Sequence, residues 1–358
     1  MAKIDKFLKA VREYKGSDLH LLAGVVPKIR IHGQLQPLDM PPISNKKCTQ
    51  LLLEILSDTQ KQRFLKKYDI DFAYQVPGVA RFRVNFFMQR QGIGGVFRII
   101  PTEIKRLTEL GIPTVAERFA ELKSGLVLVT GPTGSGKSTT LAALVDYINR
   151  NYSKHIITIE DPIEFVHMNK KSVITQRELW HDTNTFADAL RAASREDPDV
   201  VLVGEMRDLE TISLAISLAE TGLLVFATLH TNHAAKTVDR MIDVFPTEQQ
   251  PQIRTMLSFS LKGVLSQLLI PCKDLKGRIP VCEILFSTSG LHNIIREGRT
   301  EKIASVIEGG RGMGMQRMDD SIIAACKQDL VDIREAYIKA VEKQRFAMLL
   351  KQAGIEHY

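Results

Sequence analysis

GPTGSGKS, at residues 131–138, is the most informative stretch of this chain of 358 residues. It matches the phosphate-loop pattern G-x-x-x-x-G-K-[S/T], and it lies between the aliphatic run LVLVT (126–130) and the helical pattern STTLAALVDYI (138–148). A strand, a glycine-rich turn and a helix in that order direct backbone N–H groups and the positive end of the helix at a phosphate. The sequence therefore predicts a nucleotide site whose contacts are Gly131, Pro132, Thr133, Gly134, Ser135, Gly136, Lys137, Ser138 and Thr139.

Two side chains of this loop suit a nucleoside triphosphate with its metal ion. In such loops the lysine, here Lys137, reaches the β- and γ-phosphates, and the following hydroxyl, here Ser138, ligates Mg²⁺. ATP and Mg²⁺ are therefore the predicted cofactors.

Acidic residues follow two other aliphatic runs. Glu205 comes two residues after the run VVLV (200–203), where a carboxylate can hold the Mg²⁺ water shell, but it also fits an acid in a solvent-facing loop. The segment EDPIE (160–164) follows HIITI, and its Glu164 or Glu160 is a candidate general base. His230 follows a further apolar run and suits a γ-phosphate contact or a purely structural role.

Composition is that of a globular protein, with 44% hydrophobic and 25% charged residues and a net charge of +7. The length favours two domains. Aromatic residues make up only 6% and the basic residues are scattered, so nucleic acid is not an expected partner. Four cysteines form no C-x-x-C pair. No apolar run reaches about 20 residues and the amino end is unlike a signal peptide, so we expect a cytoplasmic protein without a transmembrane segment.

The pattern of apolar residues changes along the chain. Residues 1–100 indicate a small α+β unit, with strands at 18–22, 28–31 and 81–87 and one helix at 45–67. A linker bracketed by Pro101 and Pro113 follows. Buried strands at 126–129, 155–159, 200–203 and 223–229 alternate with helices and predict a parallel α/β sheet. After Thr247 the chain is expected to be mainly helical, interrupted by two strands around a Lys-Gly turn at 268–285.

Four ordered motifs strongly resemble the secretion ATPase superfamily, and most closely its type IV pilus retraction ATPases, the PilT family. They are GPTGSGKSTTLAALVDYIN, ITIEDPIEF, REDPDVVLVGEMRDLET and ATLHTNHAAKTVDRMIDVFP. The amino-terminal stretches GSDLHLLAGVVPKIRIHGQLQPL and RFRVNFFMQRQGIGGVFRI are also similar to that family. The resemblance therefore covers nearly the whole chain.

The resemblance implies a PAS-like domain (1–100), a linker (101–114) and a RecA-like P-loop ATPase domain with carboxy-terminal helices (115–358). It implies a homo-hexameric motor that hydrolyses MgATP to retract pili in twitching motility. Its expected partners are an inner-membrane platform protein and the pilus machinery, and it would act at the cytoplasmic side of the inner membrane. Glu164 and Glu205 are the implied catalytic carboxylates, with Glu205 also near the metal. His230 is the implied histidine-box residue, and the implied γ-phosphate fingers are Arg81, Arg83 and Arg98.

Three departures from the family pattern leave alternatives open. GLHNIIRE (290–297) stands where retraction enzymes usually have A-I-R-N-L-I-R-E, Leu223 replaces the first histidine of the histidine box, and Trp180 stands where a glycine is common. A related secretion or pilus-assembly motor, and an accessory paralogue that does not retract pili, remain the alternative hypotheses.

Overall fold

The computed structural model describes residues 2–31, 33–100, 103–274 and 277–355. The chain forms two compact units, Met1–Glu103 with Asp161–Val166, and Ile104–Glu160 with His167–Tyr358. The segment Asp161–Val166 thus groups with the amino-terminal unit, whereas the sequence-based division places it in the second domain. Pro101, at the predicted start of the linker, and Lys276, in the predicted late turn, lie outside the described residues.

The first unit is an antiparallel sheet packed against helices. Its elements are α1 (Asp5–Glu13), β1 (Asp18–Leu22), β2 (Lys28–Ile31), β3 (Gln34–Pro37), α2 (Asn45–Leu53), α3 (Asp58–Lys67), β4 (Asp69–Val76), β5 (Ala80–Gln89) and β6 (Gly92–Ile100). The strands have the spatial order β3-β2-β1-β6-β5-β4. Alternation along β5 places Phe82, Val84 and Phe86 in the core and Arg81 and Arg83 on the opposite face. The predicted small α+β unit is confirmed.

The single helix predicted at 45–67 is wrong, because α2 and α3 are separate helices. Ser57 caps the second one: its Oγ accepts from the backbone N–H of Gln60 (3.3 Å), and the Gln60 side chain accepts from the N–H of Ser57 (2.9 Å). This reciprocal capping box starts a new helix with a new axis. The apolar periodicity on both sides conceals the break.

The second unit is built on a mostly parallel sheet. Its strands are β7 (Gly125–Thr130), β8 (His155–Glu160), β9 (Val173–Glu178), β10 (Val200–Val203), β11 (Leu224–Leu229), β12 (Leu261–Pro271) and β13 (Arg278–Phe286). The spatial order is β13-β12-β7-β11-β10-β8-β9, and β13 pairs antiparallel with β12 while the other neighbours pair in parallel. The predicted α/β sheet is confirmed.

Helices connect and flank these strands, and they dominate the carboxy-terminal part of the described chain. They are α4 (Lys137–Asn151), α5 (Phe186–Ala193), α6 (Leu209–Glu220), α7 (Ala234–Asp243), α8 (Gln250–Ser260), α9 (Ser289–Glu297), α10 (Ile303–Gly309), α11 (Met318–Lys327), α12 (Ile333–Lys339) and α13 (Lys343–Gln352). Short 3₁₀ helices span Thr114–Phe119, Thr300–Lys302 and Arg311–Met313. Among the residues described, no helix is both long enough and apolar enough to cross a membrane.

The helical expectation after Thr247 is wrong for residues 261–267, which form the first part of β12. This strand pairs with β7 on one side and β13 on the other, and most of its side chains are buried. A strand that is buried on both faces loses the alternation by which strands are predicted. The longer β12 brings Ser266 and Gln267 beside the beginning of the phosphate loop.

The outer edge of the sheet, β9, was not predicted from the sequence. Two of its backbone N–H groups bond to side chains of flanking loops. The N–H of Ile174 donates to Oδ1 of Asn169 (3.0 Å), and that of Glu178 donates to Oδ2 of Asp182 (2.9 Å). At these two positions the edge is covered by the chain itself.

Candidate nucleotide-binding site

Four parallel strands carry predicted site residues at their carboxyl ends. The phosphate loop follows β7, Glu160 ends β8, Glu205 follows β10, and His230 follows β11. Because these strands are neighbours in the order β7-β11-β10-β8, the four features lie along one edge of one sheet. Ligands of open α/β sheets bind at this edge.

The phosphate loop requires glycine at two positions. Gly131 has a φ of 145° and Gly136 a φ of 90°. A Cβ atom on Gly131 would lie 2.2 Å from the carbonyl oxygen of Gln267, and one on Gly136 would lie 2.8 Å from Nε2 of Gln267. The loop therefore passes directly against β12 with no room for side chains.

Lys137 is folded over the loop that precedes it. Its Nζ donates to the carbonyl oxygens of Gly131 (2.9 Å) and Pro132 (3.1 Å). Ser135 is only 3% exposed, and its Oγ has no hydrogen-bond partner among the described residues. A buried hydroxyl without a partner, a lysine ammonium and the N-terminus of α4 together fit a phosphate group.

The residues present also fit Mg²⁺ held together with a nucleotide. Ser138 lies in the first turn of α4 and is partly exposed. In the described ranges, no group of three or more His, Cys, Asp or Glu side chains is arranged to hold a metal ion. Mg²⁺ commonly takes one or two protein oxygens and completes its shell with water and phosphate oxygens. A single hydroxyl beside the phosphate loop is the protein ligand that such binding needs.

Glu205 forms a hydrogen-bonded group with His230 and Arg207. His230 Nε2 lies 2.9 Å from Oε1 of Glu205, and Arg207 Nη2 donates to Oε2 at 2.6 Å. Burial raises the pKa of Glu205, but the hydrogen bonds and charges of Arg207 and His230 outweigh it and hold the pKa below its ordinary value. Glu205 is therefore ionised at neutral pH.

Backbone contacts fix the strand ends that carry this group. The Thr228 hydroxyl donates to the carbonyl oxygen of Gly204, and the N–H of Met206 donates to that of Thr228 (3.2 Å). A Cβ on Gly204 would lie 3.1 Å from the carbonyl oxygen of Ile159 in β8, which leaves little room for a larger residue. The carboxyl ends of β10 and β11 are thus joined at the residues that flank Glu205.

The two glutamates of the acidic segment have different surroundings. Glu160 accepts hydrogen bonds from Thr158 Oγ1 (2.7 Å) and Gln176 Nε2 (3.2 Å) in the second unit. Glu164, which belongs to the first unit, lies 3.1 Å from Nη1 of Arg83. Glu164 is thus paired with one of the predicted arginine fingers.

The three predicted arginines do not share one partner. Arg81 Nε donates to the carbonyl oxygen of Ile163 (3.3 Å), next to the partner of Arg83. Arg98 lies opposite Arg83 on β6, but its Nε donates to Asp18 (2.8 Å). Burial raises the pKa of Asp18, but the hydrogen bonds from Ser17 and Arg98 and the charge of Arg98 outweigh this effect. The pKa of Asp18 therefore lies below its ordinary value. Arg98 therefore forms an ion pair with a carboxylate of its own sheet.

The structure adds two residues that the sequence did not indicate. Arg207 contacts Glu205 and follows it by two positions. The short spacing of the two residues in GEMRD was the signal that could have indicated this contact. Gln267 was the only amide in the apolar run VLSQLLIP. Leu223 precedes β11 at its amino end, seven residues or about 20 Å from His230. The described partner of His230 is Glu205.

The phosphate loop after β7, on a sheet whose parallel strands include the order β12-β7-β11-β10-β8, has the arrangement of a RecA-like P-loop ATPase unit. A family profile described as "Type II/IV secretion system protein" matches residues 1–345. The chain is 50% identical over 330 residues to the type IV pilus retraction ATPase PilT of Pseudomonas aeruginosa, covering 92% of this chain and 96% of that protein. It is 49% identical over 310 residues to a twitching motility protein of Neisseria gonorrhoeae, covering 87% and 83%.

A crystal structure of the pilus retraction motor PilT with bound ADP has the same fold. The TM-score is 0.89 at 43% identity, and the match covers 96% of this chain and 98% of that chain. This chain belongs to the type II/IV secretion system protein family, and it is an ATPase.

Proposed function

We propose that this chain is a motor ATPase that hydrolyses MgATP to drive type IV pilus retraction. The observation that carries the proposal is the phosphate loop lying on the same sheet edge as the ionised Glu205 and its partner His230. The relatives named as a pilus retraction ATPase and a twitching motility protein support the choice of pilus retraction over other mechanical work.

Residues 131–139 are proposed to bind the nucleotide phosphates through backbone N–H groups and through Lys137. On binding, phosphate oxygens replace the Gly131 and Pro132 carbonyls as acceptors of the Lys137 ammonium. Ser138 is the proposed protein ligand of Mg²⁺, with Glu205 near its water shell. When bound, Mg²⁺ would supply positive charge that offsets the charge developing on the phosphates.

Glu205 and Glu164 are the two candidates for the carboxylate that orients or deprotonates the attacking water. Glu205 is supported by its place at the strand end and by His230, which can hold its orientation. Glu164 would first have to leave Arg83. The same exchange would release Arg83 toward the γ-phosphate, so we propose Arg83, with Arg81, as charge-neutralising groups. Arg98 would serve only after leaving Asp18.

The assembly and the location follow from the same assignment. We propose a homo-hexamer on the cytoplasmic side of the inner membrane at the pilus base, working on a platform protein and the pilus machinery, with no nucleic acid partner. Residues 1–100 and 115–358 are proposed to move relative to each other about the linker 101–114 as ATP is turned over. The relatives named as a pilus retraction ATPase and a pilus retraction motor support the pilus as the place of action.

The enzymatic part is tested by phosphate release from purified protein. We expect slow MgATP hydrolysis, reduced at least about a hundredfold by Lys137→Ala or Glu205→Ala, since one loses a phosphate contact and the other the carboxylate. Glu220→Ala, at the exposed end of α6, is the matched control and should hydrolyse ATP normally. Light scattering should show that the variants assemble like the unmodified chain. Absence of phosphate release, with normal nucleotide binding by Lys137→Ala, would contradict the proposal.

The biological part is tested in a strain that lacks this chain. Loss of retraction predicts excess surface pili and no twitching motility. Loss of pili would instead indicate an assembly motor. Unchanged pili and motility would indicate an accessory paralogue, consistent with the altered GLHNIIRE segment.

A further inference from the structure

Gln267 is a buried side chain that links the phosphate loop to β12. It is 3% exposed and lies in β12 one residue beyond Ser266, which pairs with Thr130 at the end of β7. At this point β7 gives way to the loop, and β12 continues alongside it. On its other side Gln267 pairs with Cys282 of β13, so its backbone is held by the sheet.

The side-chain amide of Gln267 makes one hydrogen bond to the phosphate loop and one to the first turn of α4. Its Nε2 donates to the carbonyl oxygen of Ser135 in the loop (2.7 Å), and its Oε1 accepts from the hydroxyl of Thr140 in α4 (2.7 Å). Neither group has access to water to replace these bonds, because Ser135 is 3% exposed and Thr140 1% exposed. The amide therefore holds the loop apex and the first turn of α4 at a fixed separation.

The bond to Ser135 also sets the direction of a phosphate-facing group. In a trans peptide the C=O and the N–H of the next residue point in opposite directions. With the Ser135 carbonyl turned toward Gln267, the N–H of Gly136 is turned away from β12, toward the concave side of the loop. That side is where a phosphate oxygen would lie.

From these contacts we infer that Gln267 is a positioning residue for nucleotide binding, which preorganises the phosphate loop by orienting the Ser135–Gly136 peptide. The inference rests on the proposed ATP site and extends it to a residue on a different strand. Without the amide, the loop must be ordered at the moment of binding, and that cost appears as lost affinity.

The test measures MgADP binding by isothermal titration calorimetry for three variants. Gln267→Leu removes both hydrogen bonds, and we expect about tenfold weaker binding. Gln267→Glu keeps the size and the acceptor for Thr140 but replaces the donor facing Ser135 with an oxygen, so its binding should also weaken. Thr140→Val leaves Gln267 intact and frees one end of its amide, so the loss should be smaller.

Gln250→Leu is the matched control, because its Nε2 donates to the carbonyl oxygen of Phe245 (3.2 Å) and its Oε1 accepts from Arg254 (3.4 Å), neither of which belongs to the phosphate loop or to β12. It should bind MgADP as the unmodified chain does. Nucleotide-free unfolding temperatures show which variants are folded, and Gln267→Glu carries the test if Gln267→Leu does not fold. Weaker binding by folded Gln267 variants together with normal binding by the control supports the inference.

Normal MgADP affinity in a folded Gln267→Leu or Gln267→Glu variant would overturn the inference and leave the proposed function intact. Failure of the unmodified chain to bind MgADP would instead overturn the proposed function itself. A drop in unfolding temperature with unchanged affinity would mean that Gln267 serves only to stabilise the fold, which also overturns the inference.

Discussion

Trp180 adopts a backbone conformation that few residues other than glycine adopt easily. Its φ is 66°, its N–H donates to the carbonyl oxygen of Thr183 (2.7 Å), and it is 51% exposed. Glycine would enter this left-handed region without a steric penalty. The tight turn after β9 is therefore kept at a conformational cost.

This strain predicts a difference between two substitutions that both remove the indole. Trp180→Val should be less stable than Trp180→Gly by about 1 kcal/mol or more, because a β-branched residue is strongly disfavoured at positive φ. The comparison cancels whatever contacts the ring makes. Chemical unfolding followed by circular dichroism measures it, since either change removes the only tryptophan of the chain. Equal stability of the two variants would show that the turn relaxes to another conformation.

At the scale of single residues, the sequence indicated those site residues that belong to a continuous sequence motif. Lys137 and Glu205 were candidates because the residues beside them in the sequence form the recognisable motif to which they belong. Gln267 was not, because its partner Ser135 is 132 residues away and only the pairing of β12 with β7 brings them together.

Among the secondary-structure elements, α2 and α3 show how a cap overrides a continuous apolar pattern. Both helices bury leucine or phenylalanine in the same core, including Leu52 and Phe64. The periodicity is nearly continuous from one to the other, so it predicted one helix. The local hydrogen bonds of Ser57 and Gln60 decide the boundary.

Removing this cap should destabilise the first unit. We expect Ser57→Ala to lower the free energy of unfolding by about 1 kcal/mol, since the N–H of Gln60 loses its acceptor. Ser57→Asp retains an acceptor and should be close to the unmodified chain. Urea titration of both variants measures the difference. Equal losses for the two variants would attribute the effect to something other than capping.

At the scale of the whole molecule, each of the two units has its own hydrophobic core. Phe82, Phe86 and Phe97 are fully buried within the first, while the second encloses the strands of the parallel sheet and their flanking helices. The length predicted two domains, and the change from alternating to continuous apolar runs after the linker indicated where the second one begins. It did not indicate that Asp161–Val166 would group with the first, because that grouping depends on contacts such as Arg83 with Glu164.

The separate cores of the two units predict that nucleotide will stabilise the units unequally. MgADP at about 100 times its dissociation constant should raise the unfolding temperature of the second unit by about 5 °C or more, because it binds only the folded phosphate loop. The transition of the first unit should stay in place. Differential scanning calorimetry with and without MgADP measures both, and Lys137→Ala should abolish the shift. A single transition that shifts as a whole would contradict this prediction and mean that the units unfold together.

The covered edge of β9 affects how copies of this chain can associate. A strand from another molecule would need the N–H groups of Ile174 and Glu178 as donors, and Asn169 and Asp182 already occupy them. Sheet-to-sheet growth, the usual beginning of fibrous aggregates, is therefore blocked at these positions. At these two positions, a copy that met this edge would contact side chains rather than extend the sheet.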